Sequence, residues 1–163
     1  MIVNLCSAAI ASNFFDQVPI ITAFCSQILS EMAVDFAQLQ SKNPEWTNCV
    51  FFNADKKILF KTAEVSDEEI NGFIELFNDY DTTIAKGLTF NTVHYHVHRF
   101  YDGIMYGRAD PNTKRTDGFC LYRTERDGKG PLYVLITYDL PNVSARVIPL
   151  MAKQVDEIKA QLE

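Results

Sequence analysis

Three histidines at alternate positions, His94, His96 and His98, are the residues whose type and spacing most invite chemistry. In an extended strand successive side chains point to opposite faces, so the three share one face while Val93, Tyr95 and Val97 share the other. Two imidazoles at i, i+2 can hold a transition metal, and three could begin a metal-dependent active site. The neighbouring sequence offers no cysteine and no Asp/Glu pair to complete a coordination set, and Tyr95 and Val97 suit a core face. The histidines are therefore expected on a solvated or partner-facing surface, with no metal and no cofactor.

Other reaction classes find less. There is no G-x-S-x-G elbow, no G-x-x-x-x-G-K-[ST] loop and no G-x-G-x-x-G, so a serine nucleophile or either phosphate cradle is unsupported. Asp127-Gly128-Lys129-Gly130-Pro131 is glycine-rich but lies between two strand-like runs, as a hairpin turn would. Cys6, Cys25, Cys49 and Cys120 are widely spaced, with no C-x-x-C pair, and read as buried reduced thiols. No enzymatic activity is expected.

Basic residues collect in the second half: Arg99, Arg108, Lys114, Arg115, Arg123, Arg126 and Lys129. They fit edge charges that prevent strand aggregation. They fit equally a positive face for an acidic protein, where complementary charge steers encounter and sets register.

The elements that must position these residues follow from periodicity. Between Gly87 and Asp139, short alternating segments are split by Gly- and Asp-rich turns, the pattern of an antiparallel meander of about five strands. Upstream, Cys49–Phe52 and Ile58–Phe60 form two strands joined through Asn53-Ala54-Asp55-Lys56. Ser66-Asp67-Glu68-Glu69 is a capping box, and Ile70, Phe73, Ile74 and Phe77 stripe the helix that follows it. Ile21, Phe24, Cys25, Ile28, Met32, Phe36 and Leu39 stripe an earlier helix that ends at Asn43-Pro44-Glu45. The last segment, 142–163, is helical, and Pro149 predicts either a regular helix starting near Ile148 or a distorted first turn. The order is helix, two strands, helix, five strands, helix: an α+β domain with a central antiparallel sheet. Residues 1–19 are expected to be an extension, and 20–163 one domain.

With 163 residues and 47% apolar content, one core needs no staples. A net charge of −6 argues against nucleic acid. The amino-terminal run lacks the positive region of a signal peptide, its first basic residue being Lys42, and no stretch is apolar enough to span a bilayer. A monomeric cytoplasmic protein is expected.

The ordered series Val50-Phe51-Phe52, Asp55, Glu68-Glu69-Ile70, Gly87-Leu88, His94-Tyr95, Met105-Tyr106-Gly107-Arg108, Gly118, Arg123-Thr124 and Ile136-Thr137-Tyr138 resembles the profilin family over about residues 48–163. The resemblance implies a sheet of six or seven strands flanked by amino- and carboxy-terminal helices. It implies a cytoskeleton-associated protein that binds monomeric actin through the later strands, the third helix and the start of the last helix. Carried over by position, the contacts are Arg99, Tyr106, Arg108, Arg123 and Arg146. Proline-rich ligands, another family trait, would draw on Trp46 and Phe60. Here, however, Glu157 and Glu163 stand where the family commonly has tyrosines. Phosphoinositide binding would draw on the hairpin-tip cations Lys114, Arg115, Arg126 and Lys129. Relative to the family pattern the chain is longer before the first strand and at two tips, Ala109–Asp117 and Glu125–Pro131. The alternative is the same sheet serving as a ligand-sensing or trafficking adaptor that does not bind actin.

Overall fold

The computed structural model describes residues 34–162, within a compact unit spanning Asp35–Glu163. The apolar stripe from Ile21 to Met32 and the extension before it lie outside the described residues.

Among the described residues seven antiparallel strands form one sheet. They are β1 (Asn48–Asn53), β2 (Ile58–Lys61), β3 (Leu88–Phe90), β4 (Val93–Tyr101), β5 (Ile104–Ala109), β6 (Gly118–Thr124) and β7 (Leu132–Tyr138), in spatial order β2-β1-β7-β6-β5-β4-β3. The meander β3–β7 thus carries its last strand back beside β1. The seven strands match the expectation from the sequence.

Among the described residues four α-helices pack beside the sheet: α1 (Phe36–Lys42), α2 (Asp67–Glu75), α3 (Tyr80–Lys86) and α4 (Ser144–Ile158). The predicted capping box starts α2: Ser66 accepts from the Glu69 amide while the Glu69 carboxylate accepts from the Ser66 amide. Its other oxygen accepts from the Asn91 amide at 2.9 Å, pinning α2 to the β3–β4 turn. Helix α3 is absent from the order read from sequence. Asp79 caps it by accepting from Thr82, and the buried Thr83 hydroxyl donates to the Leu76 carbonyl. Tyr80, Asp81, Thr82 and Thr83 interrupt any apolar stripe, so the periodicity that marks helices does not show here.

Alternation divides the sheet chemically. One face carries Val50, Phe52, Tyr95, Val97, Met105, Phe119, Leu121, Tyr133 and Leu135, packed on Ile70, Phe73 and Leu76 of the α2 segment. The opposite face carries Phe51, Cys120, Ile136 and Tyr138, all buried. There Phe36 of α1 stacks on Phe60 at 4.7 Å and meets Phe51 edge-on, while Asp156 of α4 accepts from Tyr122 and Thr124 of β6. Val147, Ile148, Met151 and Val155 are the buried stripe of α4.

Helix α4 begins at Ser144, four residues before the predicted regular start, and contains Pro149 as its sixth residue. In its first turn both the Arg146 and Val147 amides donate to the Val143 carbonyl, the former through a tighter i→i−3 bond. Pro149 lies past the first turn and has no amide hydrogen, so the bond to the Ala145 carbonyl is missing.

Candidate functional site

Helices α1 and α4 bond and stack to β1, β2 and β6, and on the same sheet face β4 and β5 present polar and charged side chains. What they present depends on one backbone irregularity. Strand β4 pairs His96 with Arg108 and Val97 with Gly107, then Arg99 with Tyr106, so His98 is an extra residue in a bulge. Unbroken alternation would send Arg99 to the core side with Tyr95 and Val97. The extra residue instead puts Arg99 opposite Tyr106 on the outer face and turns Phe100 inward, where it packs against Phe77 and Tyr80. Gly107 makes this possible, because a Cβ there would collide with the His96 carbonyl.

Arg99, Tyr106 and Arg108 consequently share one face with His94 and His96. The Arg99 guanidinium donates to the His98 carbonyl at 2.9 Å, and that of Arg108 to the Thr116 carbonyl at 2.8 Å. Ser144, the first residue of α4, joins His98, Arg99 and Tyr106 in lining an open concavity of about 550 Å³. Arg146 is exposed in the same first turn. The turn holds no acidic residue and Val143 provides no side-chain cap, so the positive end of the helix dipole is uncompensated. Exposed Tyr101, with its ring 6.3 Å from that of Tyr106, completes the face. Among the described residues no ion pair engages Arg99, Arg108 or Arg146, whereas Arg115 pairs with Asp117 and Arg123 with Glu125.

The histidines differ from one another. His94 and His96 meet edge to face at 5.2 Å, Nδ1 of His94 lies 3.3 Å from the Thr89 hydroxyl, and His96 is 3.9 Å from Asp110. Burial, then the charges of His96, Arg108 and Arg99, hold the His98 imidazole below its ordinary range. Among the described residues no three His, Cys, Asp or Glu side chains converge to hold a metal ion. Burial pushes the Cys49 thiol up to about 11, against a hydrogen bond from Thr62, and raises that of Cys120 further. Both described thiols are therefore protonated at neutral pH and poor nucleophiles.

Several residues singled out from the sequence sit elsewhere. Arg123 alternates with Phe119 and Leu121 and pairs with Tyr133, which puts it on the α2 side of the sheet, away from Tyr106 and Arg108. Arg126 is only 6% exposed; its guanidinium donates to the carbonyls of Leu162, Gly130 and Lys129. The Lys129 ammonium also donates to Leu162. These two cations fasten the end of the chain rather than forming a free basic tip. Lys114 and Arg115 are exposed, the latter paired with Asp117.

Trp46 is buried and lines a concavity with Ala37, Gln40, Ser41, Asn43 and Pro44. Phe60 is half-buried, and its stacking partner is Phe36. Ser144 and Tyr101 were not singled out from the sequence. Both follow from it once the bulge is known, which no residue pattern announces.

A family model described as Profilin matches residues 8–161. The chain belongs to the profilin family. Among curated proteins, Profilin-1 of Caenorhabditis elegans is 32% identical over 85 residues, 52% of this chain. That alignment spans 57% of the relative's length. Acanthamoeba castellanii profilin IB shares the fold at 19% identity and a TM-score of 0.60, covering 74% of this chain and 90% of its own. LokiProfilin2, solved in a complex with rabbit actin, is 11% identical with a TM-score of 0.57, over 75% of this chain and 92% of its own. The family fold and the α+β class expected from the ordered motifs are therefore both found.

Proposed function

We propose that this chain is a non-enzymatic protein that binds monomeric actin and regulates filament assembly, at work in the cytoplasm beside the cytoskeleton. The observation that carries the reading is the placing of Arg99 and Arg108 beside Tyr106 on one face of the sheet, with no acidic partner among the described residues. Cations without an acidic partner suit an acidic protein surface. Family membership supports the same partner, as does the relative solved with rabbit actin. The proposed contacts are Arg99, Tyr106, Arg108 and Arg146; Arg123, on the other side of the sheet, is not among them.

The buried aromatic layer favours this reading over a ligand-sensing adaptor. Phe52, Phe73, Phe90, Phe119 and Leu121 are almost fully buried between the sheet and α2, and the concavity of about 240 Å³ on that side is lined by α2 and the edge strand β3, with none of Phe52, Phe119 or Leu121 in its wall. Proline-rich ligands are proposed to bind weakly. The stacked Phe36 and Phe60 offer two rings, while Trp46 is turned inward. Lys114 and Arg115 are the exposed tip cations left for an anionic headgroup. The domain is read as a monomer spanning residues 20–163.

The deciding experiment is assembly of purified actin from monomers with and without a molar excess of this protein. A longer lag and a smaller filament mass at fixed time are expected. Unchanged assembly, together with no binding of monomeric actin in solution, would overturn the reading.

A further inference from the structure

We infer that the concavity between the β4 bulge and the first turn of α4 receives a carboxylate of the bound protein, and that His98 takes up a proton as it does so. The inference rests on the actin-binding reading and adds a partner group and a pH dependence to it.

Three elements bring groups toward His98. From its own strand come His96 and Arg99; from β5 come Tyr106 and Arg108; from α4 comes Ser144, with Arg146 exposed in the same turn. Asp110, the acidic group next along, stands 3.9 Å from His96. No carboxylate is among the groups that shift His98: burial, His96, Arg108 and Arg99 all act in one direction, against its charge. The three histidines are thus not equivalent. His94 is engaged by Thr89, and His96 already has Asp110. His98 is a base placed among cations at the bulge that turns Arg99 outward.

Such a site is built for an anion held against a surface. A carboxylate entering the concavity accepts from the Ser144 hydroxyl and the Arg99 guanidinium, and meets the positive end of α4. Its negative charge reverses the local field, so the protonated imidazole becomes the favoured form in the complex. The sign follows directly. The His98 pKa is depressed in the free protein and rises in the complex, so binding takes up a proton and tightens as pH falls. Above the range in which the bound imidazole titrates, the pH dependence vanishes.

The test measures affinity for monomeric actin at pH 7.5 and 6.0 for the full chain and for H98Q and H98K. Calorimetry at neutral pH in two buffers of different ionisation enthalpy counts protons. The wild type is expected to bind roughly three- to tenfold more tightly at the lower pH, with net uptake of a fraction of a proton. H98Q is expected to lose that increment and the uptake. H98K, permanently charged, is expected to bind as tightly at pH 7.5 as at pH 6.0. Because actin also titrates, the deciding quantity is the difference between wild type and H98Q. The same pH dependence in both, or binding without proton uptake in the wild type, overturns the inference while leaving actin binding intact. No binding by any of the three at either pH overturns the underlying reading, and the inference with it.

Discussion

At residue 98 one extra amino acid in β4 decides which side chains the outer face presents. The bulge depends on Gly107, since any side chain there meets the His96 carbonyl, a backbone atom that cannot swing away. Gly107→Ala should therefore destabilise the domain by about 2–3 kcal/mol, the scale of overpacking in a close-packed site. Urea unfolding would measure this, and a loss below about 0.5 kcal/mol would mean that the bulge relaxes freely. Arg126 makes a second argument at this scale. Truncating it leaves the Leu162 carbonyl with the Lys129 ammonium alone and strips the tie to Gly130. Arg126→Ala should cost about 1–3 kcal/mol, the range for orphaned buried polar groups. Arg126→Lys should restore only part, since an ammonium cannot reach three carbonyls as the planar guanidinium does. Sequence alone could not separate Arg126 from Lys114. Both are cations in turn-rich tips, and only the return of the chain end to the β6–β7 turn makes one of them structural.

Among the elements, α2 and α4 are held by polar contacts at their ends as well as by their buried stripes. Glu69 closes the capping box and holds the Asn91 amide, so Glu69→Ala should cost about 1–2 kcal/mol, more than a cap on an isolated helix. Equal stability of mutant and wild type in thermal melts would show both bonds to be exchanged for water at no cost. Helix α4 is tied to β6 by Asp156, which accepts from Tyr122 and Thr124 and pairs with Lys159 at 3.0 Å. Burial acts to raise the Asp156 pKa, but the hydrogen bonds from Lys159, Thr124 and Tyr122 prevail and hold it below the ordinary carboxylate range. A carboxylate depressed in the folded state stabilises above its unfolded pKa of about 4, and loses that contribution as pH falls through the lower, folded value. Acid titration should accordingly loosen the wild type more than Asp156→Asn over that window, and parallel curves would show the tie to be inert. These ends explain what the residues announced and what they hid. Ser66 and Glu69 at three-residue spacing declare a helix start, and the alternation of β4–β7 declares strands. The polar helix α3 has no stripe to read. Pro149 leaves two readings of α4 open, a start near Ile148 or a distorted first turn, and the structure has a helix from Ser144 whose first turn carries an i→i−3 bond.

For the whole molecule the question is how a chain of net charge −6 would meet the acidic partner proposed for it. The answer lies in distribution, since attraction follows the local field and not the total. Carboxylates pair with Arg115 and Arg123, Arg126 is buried against main-chain carbonyls, and Arg99 and Arg108 present their charge on the outer face. Two consequences separate this geometry from a reading of the sequence, in which all the strand arginines rank alike. Reversing charge in Arg99→Glu/Arg108→Glu should weaken binding of monomeric actin by at least about tenfold, or 1.4 kcal/mol, because attraction becomes repulsion at the centre of the face. The same double variant should unfold within about 0.5 kcal/mol of wild type, since surface charges contribute little to stability. Arg123→Glu, a reversal of equal size on the α2 side of the sheet, should change the affinity by less than about twofold. Raising salt from 50 to 300 mM should slow association for the wild type and for Arg123→Glu alike, and should speed it for the double variant, whose repulsion is screened. Equal losses from the two reversals would mean that the contact surface wraps the sheet edge and that the outer face of β4 and β5 is not its centre.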